Sequence, residues 1–259
     1  MEGVVVMQMS YSRVSSFEQC PFKWKLHYID DLKTIDKCDP ADALKLGTAL
    51  HEGIELGVET ALNKYLMSYP IIDDRHINET IKLRALIPKA KDLLPEGGEF
   101  EVPLECEDFK GFIDYLVPVG DEFDIYDFKY SNNVDRYLES QQLHVYKYYA
   151  EKLLGIKIRN LYFLFVPKTQ IRQRKTEELF QFRQRLEETL SEMTPRVERV
   201  EYDPNKVIEF MLGAKHAVEC DDYEKRPGPL CRWCDFQIYC ESNGENDLDI
   251  IYPGGRLSP

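Results

Sequence analysis

Residues 110–131 read KGFIDYLVPVGDEFDIYDFKYS, two apolar runs rich in β-branched and aromatic residues, held apart by a polar turn. Lys110 to Val117 and Glu122 to Lys129 are each expected to form a strand, and with Glu99 to Cys106 upstream they make an antiparallel meander. Asp114, in GFIDYLV, precedes Asp127, in IYDFKYS, by thirteen residues, so neighbouring strands can bring the two carboxylates together. Strand side chains repeat every two residues, which puts Asp127 and Lys129 on one face. Two close carboxylates attract a hard divalent cation such as Mg²⁺ or Mn²⁺. Such a cation lowers the pKa of a bound water and stabilises charge on a phosphate, while an adjacent ammonium orients the water or offsets developing negative charge. By itself D-x-K is a very common pattern and decides little.

Downstream, a helix is expected from about Arg136 to Leu154, closed by Gly155, followed by the apolar strand Ile158 to Val166. Gln142 and Tyr146 lie four residues apart on one face of that helix. They suit a phosphate or base contact, or simply a half-buried helix surface. Upstream, Leu46, Leu50, Ile54, Val58, Leu62 and Leu66 recur at helical spacing, so one long amphipathic helix is read from about Ala43 to Leu66. It carries His51, whose neutral imidazole is a good ligand for a Mn²⁺-type centre, although a lone histidine on an apolar helix is commonly structural.

Further helices are expected over Ser15 to Ile29, capped by Ser15 or Ser16 with Pro21 in the first turns, and over Glu79 to Leu94, interrupted near Pro88. Two more are read over Thr176 to Met193 and Asn205 to Val218. The organisation is one domain over 1–240, with 241–259 a loosely held tail.

Cys231, Cys234 and Cys240 form C-x2-C-x5-C, three thiolates within one compact loop. Such clustering points to a bound metal, either zinc or an iron–sulfur cluster, and a fourth ligand is needed. Cys20 is the distant candidate and Cys220 its competitor. Cys38 and Cys106 are read as buried or incidental thiols.

A net charge of −13 argues against a protein that coats nucleic acid non-specifically, because phosphate neutralisation needs Lys and Arg. The stretch 156–200 is the exception: ten Lys/Arg stand against six Glu, which suits a binding groove or a solvated helix face. No apolar run approaches membrane-spanning length and no signal-peptide pattern opens the chain, so a soluble, cytoplasmic protein is expected. No G-x-x-x-x-G-K-[ST] occurs, so any unwinding of DNA would come from a helicase partner.

Taken in order, these pieces resemble the RecB-like iron–sulfur nucleases of the PD-(D/E)XK superfamily, a group including the AddB nuclease domain, CRISPR-adaptation exonucleases and phage relatives. SYSRVSSFEQCPFKWKL resembles the family's opening, GTALHEGIE its helical histidine motif, GFIDYLV its first acidic strand and YDFKYS its acid-x-lysine motif. QQLHVY is similar to its Q-x-x-x-Y helix and CRWCDFQIYC to its terminal cysteine signature. The resemblance implies an α/β restriction-endonuclease-like core, a central mixed sheet flanked by helices. It implies that His51, Asp114, Asp127 and the Phe128 carbonyl bind Mg²⁺ or Mn²⁺, that Lys129 assists hydrolysis, and that Gln142 and Tyr146 contact DNA or shape the site. It further implies a [4Fe-4S] cluster on Cys20, Cys231, Cys234 and Cys240 that joins the two ends of the domain. The expected activity is DNA cleavage, as an exonuclease on single-stranded ends, in processing, recombination or repair. The rival is a catalytically idle DNA-binding or scaffold subunit that keeps the clasp.

Overall fold

The structure, a computed structural model, describes residues 7–254 and 256–257. Residues 1–6, read for a signal segment, lie outside the described residues, as do 255 and 258–259 of the expected tail.

The Ser10 hydroxyl accepts the Arg13 N–H and opens helix α1 (Tyr11–Gln19). One helix is expected over Ser15 to Ile29, but the chain breaks at Cys20. The Cys20 thiol accepts the Lys23 N–H, and Pro21 takes the first position of α2 (Pro21–Tyr28), where a missing N–H costs nothing. The short strand β1 (Lys33–Thr34) follows.

Asp42 caps α3 (Ala43–Leu56), which ends at Gly57 with φ at +100°. Only glycine adopts that backbone cheaply, so the single helix expected to Leu66 is two, with α4 (Val58–Met67) beyond the break. In α5 (Asp74–Lys91) the interruption expected at Pro88 does not occur, and the helix runs on through the proline to Lys91.

Strands β2 (Glu99–Glu105), β3 (Lys110–Val119) and β4 (Glu122–Tyr130) are followed by α6 (Val134–Leu138) and α7 (Gln142–Leu154), where one helix is expected. Neither Gly nor Pro marks that break; Tyr137 packs against Phe163 and Phe165 on one side of it, and Gln142 binds Asp127 on the other. Gly155, left-handed at φ +67°, closes α7. Then come β5 (Ile158–Val166), α8 (Leu179–Glu192), β6 (Arg196–Val200) and α9 (Pro204–Glu219). Strand β6 was hidden in the sequence by its brevity and its charged R-V-E-R-V pattern. A 3-10 turn (Pro229–Trp233), α10 (Gln237–Glu241), β7 (Ile250–Tyr252) and β8 (Arg256–Leu257) complete the chain.

The central mixed sheet has the order β2-β3-β4-β5-β6, consistent with a restriction-endonuclease-like core. β3 and β4 are antiparallel, as are β5 and β6, while β4 and β5 are parallel, a pairing that needs the crossover supplied by α6 and α7. Tyr126 and Phe128 of β4, with Tyr115, Val117, Leu164 and Val166 beside them, pack into one core with Leu50, Ile54, Leu86, Ile87 and Leu186 of the helices α3, α5 and α8. By strand alternation Asp127 and Lys129 project to the opposite face, toward α6 and α7.

The chain divides into two compact units: Met1–Lys37 with Glu105–Gly111 and Asn205–Pro259, and Cys38–Leu104 with Phe112–Pro204. In the first unit, Leu26, Leu32, Phe236 and Ile250 form a small buried core. Part of the stretch read as a loose tail is strand here, since β7 pairs antiparallel with β1 and with β8. Among the described residues no helix is long and apolar enough to cross a membrane.

Candidate metal centre and active site

The second unit gathers every residue that the sequence singled out for hydrolysis. Asp114, in the middle of β3, reaches to β4, where its Oδ2 accepts the backbone N–H of Phe128 at 2.6 Å. Its Oδ1 lies 3.5 Å from His51 Nδ1. The other ring nitrogen of His51, Nε2, lies 3.0 Å from the Phe128 carbonyl oxygen. Helix α3 thus delivers the imidazole to the same residue, Phe128, whose N–H Asp114 holds.

Asp127 is 1% exposed. Its Oδ1 accepts Gln142 Nε2 at 2.7 Å, and the same amide donates to the Tyr146 hydroxyl at 3.2 Å. Its Oδ2 is buried without a hydrogen bond and meets the Lys129 ammonium in an ion pair. Lys129 Nζ also lies 5.4 Å from the Tyr137 ring centroid and 5.7 Å from that of Phe163, so aromatic faces shield the charge pair.

Glu101 completes the centre and escaped the sequence reading. One ligand atom each of His51, Glu101 and Asp114 lies within 4.8 Å of the others. In EFEVPLE the glutamates alternate as on any solvent-facing strand, so nothing in the sequence marks Glu101. Its backbone is the signal: φ is +52°, a left-handed conformation inside a strand that a non-glycine residue adopts at a cost. Asp127 stands outside this trio, its oxygens engaged by Gln142 and Lys129. A groove of about 470 Å³, lined by Gly47, Thr48, His51, Glu52, Glu55 and Glu101, opens beside the trio.

The electrostatics follow from burial and crowding. Burial pushes Asp127 above its ordinary value against the pull of the Lys129 ammonium. Burial acts to lower Lys129, yet the charges of Asp127 and Asp114 hold it above its ordinary value. His51 is likewise raised: burial opposes its charge, and Asp114, then Asp127, outweigh burial. Glu101 is raised by burial and by the charge of Asp114. Buried carboxylate charge facing an imidazole and a carbonyl is a hard O/N donor set, which fits Mg²⁺ or Mn²⁺ rather than a soft metal.

The four candidate cysteines lie in the first unit, half-buried and without disulfides. Cys231 sits in the 3-10 turn, its sulfur accepting the Gly228 N–H at 3.3 Å, and Cys240 lies in α10. Burial raises the Cys234 thiol, with Lys23, Asp235 and Cys20 also acting on it. Burial raises Cys240 too, with Lys225, Cys20 and Cys231 acting on it. Cys220 turns to its own loop, 3.1 Å from the Asp222 carbonyl oxygen.

A family model described as PD-(D/E)XK nuclease superfamily matches residues 8–241. No curated protein matches the chain. Among solved structures, the crystal structure of SSO0001 is similar, with 12% identity and a TM-score of 0.41 over 93% of this chain and 88% of that one. The family match runs over all the motifs placed above, from the Cys20 segment to Cys240. The chain belongs to the PD-(D/E)XK nuclease superfamily.

Proposed function

We propose that this protein is a metal-dependent deoxyribonuclease of the RecB-like iron–sulfur kind, an exonuclease on single-stranded DNA ends. The observation that carries the reading is the convergence of Asp114, His51 and Glu101 beside the buried Asp127–Lys129 pair. Asp114, Glu101, His51, Asp127 and the Phe128 carbonyl are the residues that would hold Mg²⁺ or Mn²⁺. When bound, the cation supplies Lewis acidity toward the phosphate and lowers the pKa of water. Lys129 orients the attacking water and offsets negative charge on the phosphate. Gln142 fixes the Asp127 carboxylate through one oxygen, leaving Oδ2 turned to the lysine. Tyr146 in turn fixes the Gln142 amide.

In the first unit, Cys20, Cys231, Cys234 and Cys240 would hold a [4Fe-4S] cluster. What supports this is the C-x2-C-x5-C spacing of Cys231, Cys234 and Cys240, three thiols in one short segment of the same unit as Cys20. The biological setting proposed is intracellular DNA processing, recombination or repair, with unwinding left to a helicase partner.

The decisive experiment is digestion of end-labelled single- and double-stranded DNA with Mg²⁺ or Mn²⁺, comparing wild type with Lys129→Ala. Metal-dependent loss of label from single strands by the wild type alone supports the reading. Binding of DNA without cleavage in either metal would leave the scaffold rival standing.

A further inference from the structure

The basic excess of 156–200 plays no part in the metal centre, yet one of its members is in register with it. Lys129 pairs across the sheet with Phe165, and Phe165 pairs with Arg196. Directly paired residues project to the same face, so Arg196 stands on the Lys129 side, two strands away, at about 10 Å for a strand spacing of ~4.8 Å. The adjacent row is Asp127, Phe163 and Glu198.

Beside Arg196 is a cavity of about 170 Å³, lined by Ser131, Asn132, Phe165, Pro167, Thr194 and Arg196. Its rim is built. Asn132 Nδ2 donates to the Lys168 carbonyl and Asn132 Oδ1 accepts the Lys168 N–H, both at 2.8 Å, which ties the segment after β4 to the segment after β5. The Ser131 oxygen accepts the Asn133 N–H at 3.1 Å. Phe165 supplies the apolar floor.

Arg196 Nε lies 3.1 Å from Glu198, with the Arg196 side chain 59% exposed. A pair this open to water contributes little to stability and is easily exchanged. A guanidinium presents a planar fork of donors that matches a phosphate bidentately, where a lysine offers a point charge.

We propose that Arg196, at the mouth of this cavity, binds the backbone phosphate next to the one being cleaved and so leads a DNA strand over the end of β5, beyond the Tyr137 ring that covers Phe163 and Phe165, toward Lys129. This rests on the nuclease reading of the same face. Arg196 is a positioning residue here: it sets where the strand lies and takes no part in bond breaking.

The test is fluorescence anisotropy of a labelled single-stranded oligodeoxynucleotide in EDTA, over a range of salt concentrations, with wild type, Arg196→Gln and Arg196→Lys. Arg196→Gln should weaken binding about tenfold and reduce the slope of log K against log salt by about 0.7, the loss of one phosphate contact on a single strand. Arg196→Lys should restore most of the slope. A merely structural role would change the melting temperature and leave the slope alone. With wild-type protein, an oligonucleotide carrying a neutral methylphosphonate at the second linkage from either end should reproduce the loss at one end. That arm keeps the test decisive should the variant misfold. Unchanged affinity and slope in Arg196→Gln, with wild type still cleaving DNA in Mg²⁺ or Mn²⁺, overturns the Arg196 subsite and spares the nuclease. Weakened binding by Arg196→Gln in a wild type that never cleaves removes the nuclease and keeps the subsite. A wild type that neither binds nor cleaves removes both.

Discussion

Asp114 and His51 engage the two backbone polar groups of a single residue of β4: Asp114 Oδ2 accepts the Phe128 N–H at 2.6 Å, and His51 Nε2 lies 3.0 Å from the Phe128 oxygen. The candidate metal ligands are therefore also part of the sheet's hydrogen bonding, and their substitution has two separable effects.

Asp114→Ala leaves a buried N–H without a partner, so it should abolish cleavage and also lower unfolding stability by about 1–3 kcal/mol. Asp114→Asn keeps an oxygen for Phe128 and loses the charge. It should melt close to wild type and still fail to cleave. Denaturant unfolding of both variants beside the cleavage assay separates the effects; equal stability losses would show that the Phe128 bond does not depend on a side-chain oxygen.

Glu101 combines a left-handed backbone with a place in the trio. Asn adopts that conformation more readily than Glu. Glu101→Asn should therefore melt no lower than wild type while its Mn²⁺ affinity, read by calorimetric titration, drops about tenfold, a loss on the order of 1.4 kcal/mol. Undiminished affinity would take Glu101 out of the metal site.

Cys20 serves twice, as cap of α2 and as candidate cluster ligand. Cys20→Ser keeps a capping oxygen, whereas Cys20→Ala loses the cap at a cost of about 1 kcal/mol. Both should purify anaerobically without iron or brown colour, and Cys220→Ala should keep both. Iron retained in Cys20→Ser but lost in Cys220→Ala would move the fourth ligand to Cys220.

Glu177 receives Nε of Arg185 at 2.8 Å and its second guanidinium nitrogen at 2.7 Å, and the Arg174 N–H at 2.9 Å. These bonds, those of Arg185 foremost, hold its carboxyl down to about 2. A depressed carboxyl stabilises the fold fully above its unfolded value of about 4.3 and loses that contribution as pH falls toward 2. The melting temperature of wild type should consequently fall more steeply over that interval than that of Arg185→Gln. Parallel curves would mean the pair does nothing for the fold.

Much of this protein was written in local pattern. The β4 and β5 strands were legible because IYDFKYS and IRNLYFLFV have the composition and length of buried strands, and alternation alone put Asp127 and Lys129 on one face. His51 and Asp114 were legible as chemistry, since few residue types bind a hard cation. The helix breaks at Gly57 and Cys20 were misread for a local reason too: apolar periodicity continues across both, and it is the backbone at Gly57 and the thiol cap at Cys20 that stop the helix.

By itself, then, the sequence determined the longer strands and most of the helical stretches, and which side chains are chemically able to bind metal, because both depend on residues near one another in the chain. Tertiary structure alone decided which of them meet. Glu101 looks like any solvent-facing glutamate until β2 is laid beside β3, and Arg196 looks like any surface charge until β6 pairs with β5. Strand order and register set those neighbours, and they arise from the packing of apolar faces contributed by distant segments, a sum over the whole core that no local stretch of residues contains.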